Sequence, residues 1–437
     1  MNVVLRGGTI VTQTDPQQPY NGFLADVHIV DGRVQQVLKP GADVQDTSDY
    51  NVAGLWLLPG FVQAHTHLVQ SLFRGAADDL SLMDWLRLRI WPFEAAHDAE
   101  SAYWSARLGL TELLLGGTTA ILDMASIRHT DAIFQAAEEC GIRAHIGKAM
   151  MDRANEAGLA ETTAAALESS HMLREKWHER GHLRYAYAPR FVPSCTKELL
   201  AETVRSARSA GCLIHSHASE NRDEIRLVRD ITGMENVEYL DSIGMVGPDV
   251  ALAHCIHLNE NEEKILVRTQ TAIVHCPGSN LKLGSGVARI PELLRAGAVV
   301  TLGADGAPCN NRLDIFAEMR LAALVQKPRL GPESLPAHSV LSMATAQGAQ
   351  VLGTGGGDIR PGSVADLVAI DIDQAHSWGG MPGAGNIAYS CTPQNVKHVW
   401  IDGKQVVENG RVFCWNWQET VNGCRDAFKR IVERASL

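Results

Sequence analysis

The chain has 437 residues, with 39 Lys and Arg against 50 Asp and Glu, for a formal net charge of −11. Hydrophobic residues make up 45% and charged residues 20%, an ordinary globular composition that excludes disorder, collagen-like repeats and extended coiled coil. The acidic balance argues against a nucleic-acid partner or an anionic membrane surface, because neutralising phosphates takes clustered Lys and Arg.

In chain order, the first segment, Met1-Asn2-Val3-Val4-Leu5-Arg6, lacks a basic stretch followed by an apolar core, so no secretory signal is expected. No run of about 18 uncharged apolar residues reads as a membrane span anywhere in the chain. Residues 3–11 are apolar around Gly7-Gly8, and 26–37 alternate about the turn Asp31-Gly32, the pattern of short strands joined by turns. Similar hairpin grammar returns at 365–371, 396–402 and 405–412, with a turn at Asp402-Gly403. A small composite β-sandwich built from both termini accounts for the two ends; two separate β caps are the alternative. The division expected is 1–55 for the first part of the sandwich, 56–360 for a larger domain between, 361–415 for the second part, and 416–437 for a C-terminal helix.

Between the ends, apolar runs at 57–64, 118–123, 144–150, 183–188, 212–217, 250–254, 272–276 and 299–304 alternate with amphipathic stretches. In one such stretch Leu200, Val204 and Ala207 recur at spacings of four and three, which is one helix face. Gly141, Gly211 and Gly297 each stand where a helix stops just before a strand. This alternation predicts an α/β fold, a (β/α)8 TIM barrel, in preference to a doubly wound sheet. No GxGxxG follows the first strand and no GxxxxGK[ST] occurs, so nucleotide-phosphate folds lose support. The nine cysteines form no CxxC pair and sit mostly in apolar surroundings. Free, buried thiols in a reducing, cytoplasmic setting are the expectation.

In such a barrel the catalytic side chains lie at the C-terminal ends of the strands. Here the first strand ends in His65-Thr66-His67, the fifth in His217, the sixth in His254 and the eighth in Asp305. Residues two apart in extended chain face the same side, so His65 and His67 can reach one ion together. An HxH pair alone carries little weight, since core and surface histidines outnumber ligands. Its weight comes from the coincidence of polar residues at four strand ends. Three imidazoles and a carboxylate suit a single borderline divalent cation, zinc or iron(II), with one position left for water. His215 and His275, elsewhere on strands five and seven, are expected to be structural.

These residues carry a resemblance. Pro59-Gly60-Phe61-Val62-Gln63-Ala64-His65-Thr66-His67 resembles the PGφφxxHxH signature of the amidohydrolase superfamily. His217-Ala218-Ser219-Glu220 is similar to its HxxE motif, Leu252-Ala253-His254-Cys255 to its fourth histidine, and Gly303-Ala304-Asp305-Gly306 to its barrel-end aspartate. The segment Gly362-Ser363-Val364-Ala365-Asp366-Leu367-Val368 resembles the return of the chain into the sandwich. The resemblance runs along the whole chain and falls in the cytosine-deaminase-like branch, among adenosine-type, guanine and s-triazine aminohydrolases.

The resemblance implies one metal, zinc ahead of iron(II), held by His65, His67, His217 and Asp305. Two-metal relatives carry a carboxylated lysine at the end of strand four, where this chain has Arg190. It also implies three catalytic residues: Asp305 accepts a proton from water, His254 orients the resulting hydroxide, and Glu220 protonates a ring nitrogen. Some triazine hydrolases lack the acid of the HxxE motif; this chain keeps Glu220, which favours deamination.

For substrate contacts, Trp85 and Glu94 match positions that meet the purine or ribose in adenosine-type deaminases, a pair that guanine deaminases share. Gln70 and Arg190, the latter within Pro189-Arg190-Phe191-Val192-Pro193-Ser194-Cys195, are guanine-deaminase-like. Lys148 stands where S-adenosylhomocysteine-deaminating members place an arginine for the amino-acid carboxylate, and a lysine lacks that residue's bidentate fork. Glu220 completes the set. The expected substrates are adenosine-type nucleosides (5′-deoxyadenosine, methylthioadenosine, adenosine), then guanine, then an s-triazine or pterin. The resemblance further implies a homo-oligomer, dimer or tetramer. Amide-bond hydrolysis on the same barrel and a non-enzymatic scaffold are the readings from other classes.

Overall fold

The computed structural model describes residues 1–12, 22–155, 157–379 and 383–436; residues 13–21 of the expected first sandwich segment and residue 437 of the expected terminal helix lie outside the described residues. Five strands come first: β1 (Asn2–Ile10), β2 (Phe23–Val30), β3 (Arg33–Leu38), β4 (Ser48–Asn51) and β5 (Trp56–Pro59). Next come β6 (Phe61–Thr66), β7 (Thr118–Met124), β8 (Arg143–Gly147), β9 (Ala149–Met150), β10 (Leu183–Pro189), β11 (Leu213–Ala218), β12 (Val250–His254), β13 (Ala272–His275) and β14 (Val300–Leu302). The last four are β15 (Leu367–Ile370), β16 (Val396–Ile401), β17 (Lys404–Glu408) and β18 (Arg411–Val412).

The two ends of the chain share one sheet, in the order β18-β17-β16-β15-β5-β1-β2-β3, with β4 also paired to β1. Its β3 edge bonds back onto the approach to β15: Val34 N–H donates to Ser363 O at 2.9 Å, and Gly362 N–H to Val34 O at 2.8 Å. The sheet therefore curls around an apolar core that includes Val27, Ile29, Leu57, Leu367 and Trp400. A hairpin alone is marginal in water. Neither terminal segment closes this core without the other, which is why both carry the same hairpin pattern.

The barrel follows the order β14-β13-β12-β11-β10-β8-β7-β6, all parallel, with a bridge between Thr66 and Asp305 linking its first and last members. Parallel neighbours need long crossovers, supplied here by amphipathic helices. The helix Lys197–Ser209 buries Leu199, Leu200, Thr203, Val204 and Ala207 on one face. Inside, Ala64, Ala120, Ala186, Ala251 and Ala272 pack with Val62, Leu122 and Val274, so the barrel is filled rather than open. The C-terminal helix, Trp417–Ala435, packs against Ala99–Leu115, where Arg107 Nη2 donates to Thr420 Oγ1 at 3.1 Å.

Two runs expected as single strands are each divided. The run at 57–64 splits at Gly60: β5 pairs with β1 and β15 in the terminal sheet, while β6 opens the barrel. A Cβ at Gly60 would lie 2.2 Å from Thr119 Oγ1, so the chain crosses from sheet to barrel where only glycine fits. Both strands are buried throughout, which makes the sequence read as one apolar run. The run at 144–150 becomes β8 and β9, with Lys148 between them. All nine cysteines are free, eight of them buried. Among the described residues no helix is long and apolar enough to cross a membrane.

Arg143 on β8 joins barrel to sheet. Its Nε donates to Asp366 Oδ2 at 2.6 Å and its Nη2 to Asp402 Oδ1 at 3.0 Å. Asp366 is only 3% exposed, so Arg143→Ala would leave its charge buried without a cation. The variant is expected to lose about 3 kcal/mol of stability, read as a lower midpoint in urea denaturation with the metal site intact.

Candidate metal centre and active site

The ends of β6 and β11, with the loop after β14, bring His65, His67, His217 and Asp305 together: one ligand atom from each lies within 4.8 Å of the others. The remaining nitrogen of each imidazole is tied down. His67 Nδ1 is 2.7 Å from Met124 O and His217 Nδ1 is 2.8 Å from Arg190 O. Carbonyls only accept, so both rings carry their proton on Nδ1 and turn an Nε2 lone pair to the centre. His65 Nδ1 lies 2.8 Å from His215 Nε2. Donation from His65 leaves its Nε2 as a third lone pair, and that buried atom has no hydrogen-bond partner among the described residues.

Burial lowers the basicity of all three rings, His67 to about 4, and so keeps them in the neutral, metal-binding form. Burial alone would raise Asp305, but positive charge among the imidazoles facing it, on His65, His67 or His254, holds it well below the usual carboxylate range, and a bound cation would act in the same sense. His67 Nε2 lies 3.3 Å from His217 Nε2, and Asp305 Oδ1 lies 3.2 Å and 3.4 Å from the Nε2 atoms of His65 and His67. Three lone pairs and a carboxylate at this separation repel one another unless a cation draws them together. The donor set fits one divalent ion.

The backbone around the centre is strained. Ser219, His254, Cys255 and Asp305 all have positive φ, between 47° and 73°, a region that non-glycine residues avoid. Specific hydrogen bonds hold these turns. Glu224 accepts from the N–H groups of Ser219 at 3.2 Å and Glu220 at 2.7 Å, and Asp305 N–H donates to His65 O at 3.0 Å. The result aims His254 and Glu220 at the same space. His254 Nε2 is 3.4 Å from Glu220 Oε2 and 3.9 Å from Asp305 Oδ2, while its Nδ1 is 2.8 Å from Asn280 Oδ1. Burial pushes Glu220 up to about 7, so much of it carries a proton at neutral pH. Burial opposes protonation of His254, but the Glu220 and Asp305 carboxylates outweigh it and raise its pKa.

The cleft above this centre, about 430 Å³ with its open mouth included, is lined by His67, Gln70, Trp85, Arg190, Phe191, Glu220, His254 and Asp305, among others. Two of the substrate contacts expected from the sequence are not in its wall. Glu94 stands behind it: Arg190 Nη1 and Nη2 donate to the two Glu94 oxygens at 2.7 Å and 3.2 Å, and Gln70 Nε2 donates to Oε1 at 2.8 Å. Glu94 thus orients the two lining residues. Lys148 is 3% exposed and its ammonium is spent on Glu161. His215, expected to be structural, stands outside the ligand set and supports it through His65. It sits two residues before His217, on the same strand face, so the alternation that found His65 with His67 points to it as well. His275 is buried and neither ring nitrogen has a hydrogen-bond partner among the described residues.

A parallel barrel whose strand ends converge three neutral imidazoles, a carboxylate and two further proton-carrying groups on one cleft is the frame of a metal-dependent hydrolase. Residues 56–406 match the model of the amidohydrolase family, and the chain belongs to that family, hydrolases acting on C–N bonds. It is 39% identical over 394 residues to a 5′-deoxyadenosine deaminase of Methanothermobacter thermautotrophicus, covering 88% of this chain and 90% of that one. It is 34% identical over 444 residues to a 5-methylthioadenosine/S-adenosylhomocysteine deaminase of Pelotomaculum thermopropionicum, covering 99% of both. A solved adenosine deaminase from Xanthomonas campestris, with bound zinc, superposes with a TM-score of 0.90 at 28% identity over 99% of both chains.

Metal analysis of the purified protein is expected to give about one divalent ion per chain, and His217→Ala to remove most of it while the fold persists. Glu94→Ala would leave the Arg190 charge buried and unpaired, at a cost of about 3–5 kcal/mol in chemical denaturation.

Proposed function

We propose that the protein is a mononuclear, zinc-dependent deaminase of adenosine-type nucleosides, with 5′-deoxyadenosine, methylthioadenosine and adenosine as the substrates of choice. The observation that carries this reading is the placement of Glu220 and His254 against the His65-His67-His217-Asp305 set inside one cleft with Trp85 in its wall. The names of the curated relatives support the same class of substrate. Nine free cysteines support a reducing, cytoplasmic setting.

His65, His67, His217 and Asp305 would hold the zinc ion, which when bound would bring the pKa of a water toward neutrality and make it a nucleophile at physiological pH. Asp305, held ionised by its neighbours, takes the water's proton. His254, fixed at Nδ1 by Asn280, orients the nucleophile through Nε2. Glu220, with its raised pKa, donates a proton to the ring nitrogen adjacent to the carbon under attack. The amine then takes up the proton held by Asp305 and departs as ammonia, while the new hydroxyl returns a proton to Glu220 as it becomes the carbonyl. Trp85 offers a flat apolar face to a planar heterocycle.

A second reading rests on a different observation. Both oxygens of Glu94 are engaged by Arg190 and Gln70, so Arg190 and Gln70, rather than a free Glu94 carboxylate, meet the ligand. An Arg–Gln pair matches the carbonyl and ring-nitrogen edge of a free base such as guanine, while the Glu94 carboxylate that could accept from two ribose hydroxyls is already engaged.

The metal-replete protein, assayed for ammonia on adenosine, 5′-deoxyadenosine, methylthioadenosine, guanine and s-triazines, is expected to turn over an adenosine-type nucleoside fastest. Preference for guanine would select the second reading, and no ammonia from any of them would sink the deaminase reading. Glu220→Gln should keep its metal and lose about 100- to 10,000-fold in kcat; full activity in that variant would remove Glu220 from the mechanism.

A further inference from the structure

One buried carboxyl near the centre has no part in the steps above. Glu318, on the helix Ile315–Leu330, is 0% exposed. Its Oε2 accepts from the Gly278 N–H at 3.0 Å and its Oε1 from Asn310 Nδ2 at 2.9 Å. Gly278 lies in the short helix Pro277–Lys282, whose next two residues reach the active site. Ser279 Oγ donates to Asp305 Oδ2 at 2.6 Å, and Asn280 Oδ1 is 2.8 Å from His254 Nδ1. Asn310 ends the turn that follows Asp305, and its Nδ2 also donates to Ala304 O at 2.8 Å.

The two loops that carry the partners of Asp305 and His254 are therefore fastened to one side chain. The fastening is tight: a Cβ at Gly278 would lie 2.4 Å from Glu318 Oε1 and 2.6 Å from Asn310 Oδ1. Burial pushes the Glu318 carboxyl up to about 8, against the hydrogen bonds from Gly278 and Asn310. Burying a carboxyl is unfavourable, and an apolar residue would fill the same volume without that penalty. Packing does not account for a glutamate here; the two loop contacts do.

We propose that Glu318 is a positioning residue for the metal centre. It sets Ser279 against Asp305 and Asn280 against His254, and so fixes the direction in which the Asp305 carboxylate faces the metal. The inference rests on the metal-centre reading but not on the identity of the substrate.

Zinc affinity, measured on the full chain by competition with a chromophoric chelator, tests it. Compared above pH 8, where the Glu318 carboxyl is ionised, Glu318→Gln keeps the shape of the side chain but turns a donor toward Gly278 or Asn310. It is expected to weaken zinc binding about 10-fold, the usual size for a residue supporting a metal ligand, and to lower kcat more than it raises KM. Ser279→Ala should give a similar loss, and the double variant no more than the larger single one, because both act through the same contact on Asp305. If Glu318→Gln does not fold, Gly278→Ala tests the contact from the other side, since its new methyl displaces the carboxyl. Unchanged zinc affinity in either folded variant, or additive losses in the double variant, overturns the positioning role and leaves the metal reading intact. Wild-type protein that takes up no zinc overturns both.

Discussion

Mutual repulsion at the barrel mouth is the constraint on which the rest of this structure depends. His65, His67 and His217 turn lone pairs toward a shared point that the Asp305 carboxylate also faces. Nothing in that set holds itself together without a cation. The surroundings therefore do the holding: Met124 O, Arg190 O and His215 fix the rings, and Ser279 and the Gly306 N–H grip the carboxylate. Each holder comes from a different strand or the loop after it. The barrel is the means of delivering so many supports to one place, since its parallel strands all end on the same side.

The same reasoning explains why the strain sits where it does. Left-handed backbone at Ser219, His254, Cys255 and Asp305 is unfavourable for each residue singly. It is tolerated because the chain must turn sharply at the strand end while still pointing a side chain inward. Glu224, which caps the helix Arg222–Thr232, also accepts N–H groups from the turn that presents Glu220. A helix-capping interaction and a catalytic turn thus share one carboxylate.

Much of this was legible in the sequence, because strand periodicity is short and strict. Two-residue spacing is enough to pair His65 with His67, and runs of buried apolar residues mark the strands that end in His217, His254 and Asp305. What periodicity does not carry is which buried groups meet. The run at 57–64 hides a change of sheet at Gly60, since a strand buried on both faces reads the same in either sheet. Glu94 and Lys148 align with substrate contacts, yet Arg190, 96 residues on, and Glu161, 13 residues on, claim them. His215 looked like core because its partner, His65, lies 150 residues away. Pairings of that kind depend on closure of the barrel, and no local pattern encodes them.

The terminal sheet has a consequence for the order of events during synthesis. β1, β2, β3 and β5 leave the ribosome before the barrel, yet β15, which joins them to the other half by pairing with β5, begins at Leu367. Until then their apolar face, with Val27 and Ile29, lacks Leu367 and Trp400 to cover it. The barrel lies between the two halves, so the sheet is completed only after the whole catalytic unit has emerged. Long-range pairing of this kind forms late and leaves early strands open to wrong partners. The nascent chain, rather than the finished enzyme, is where this architecture is most exposed to aggregation.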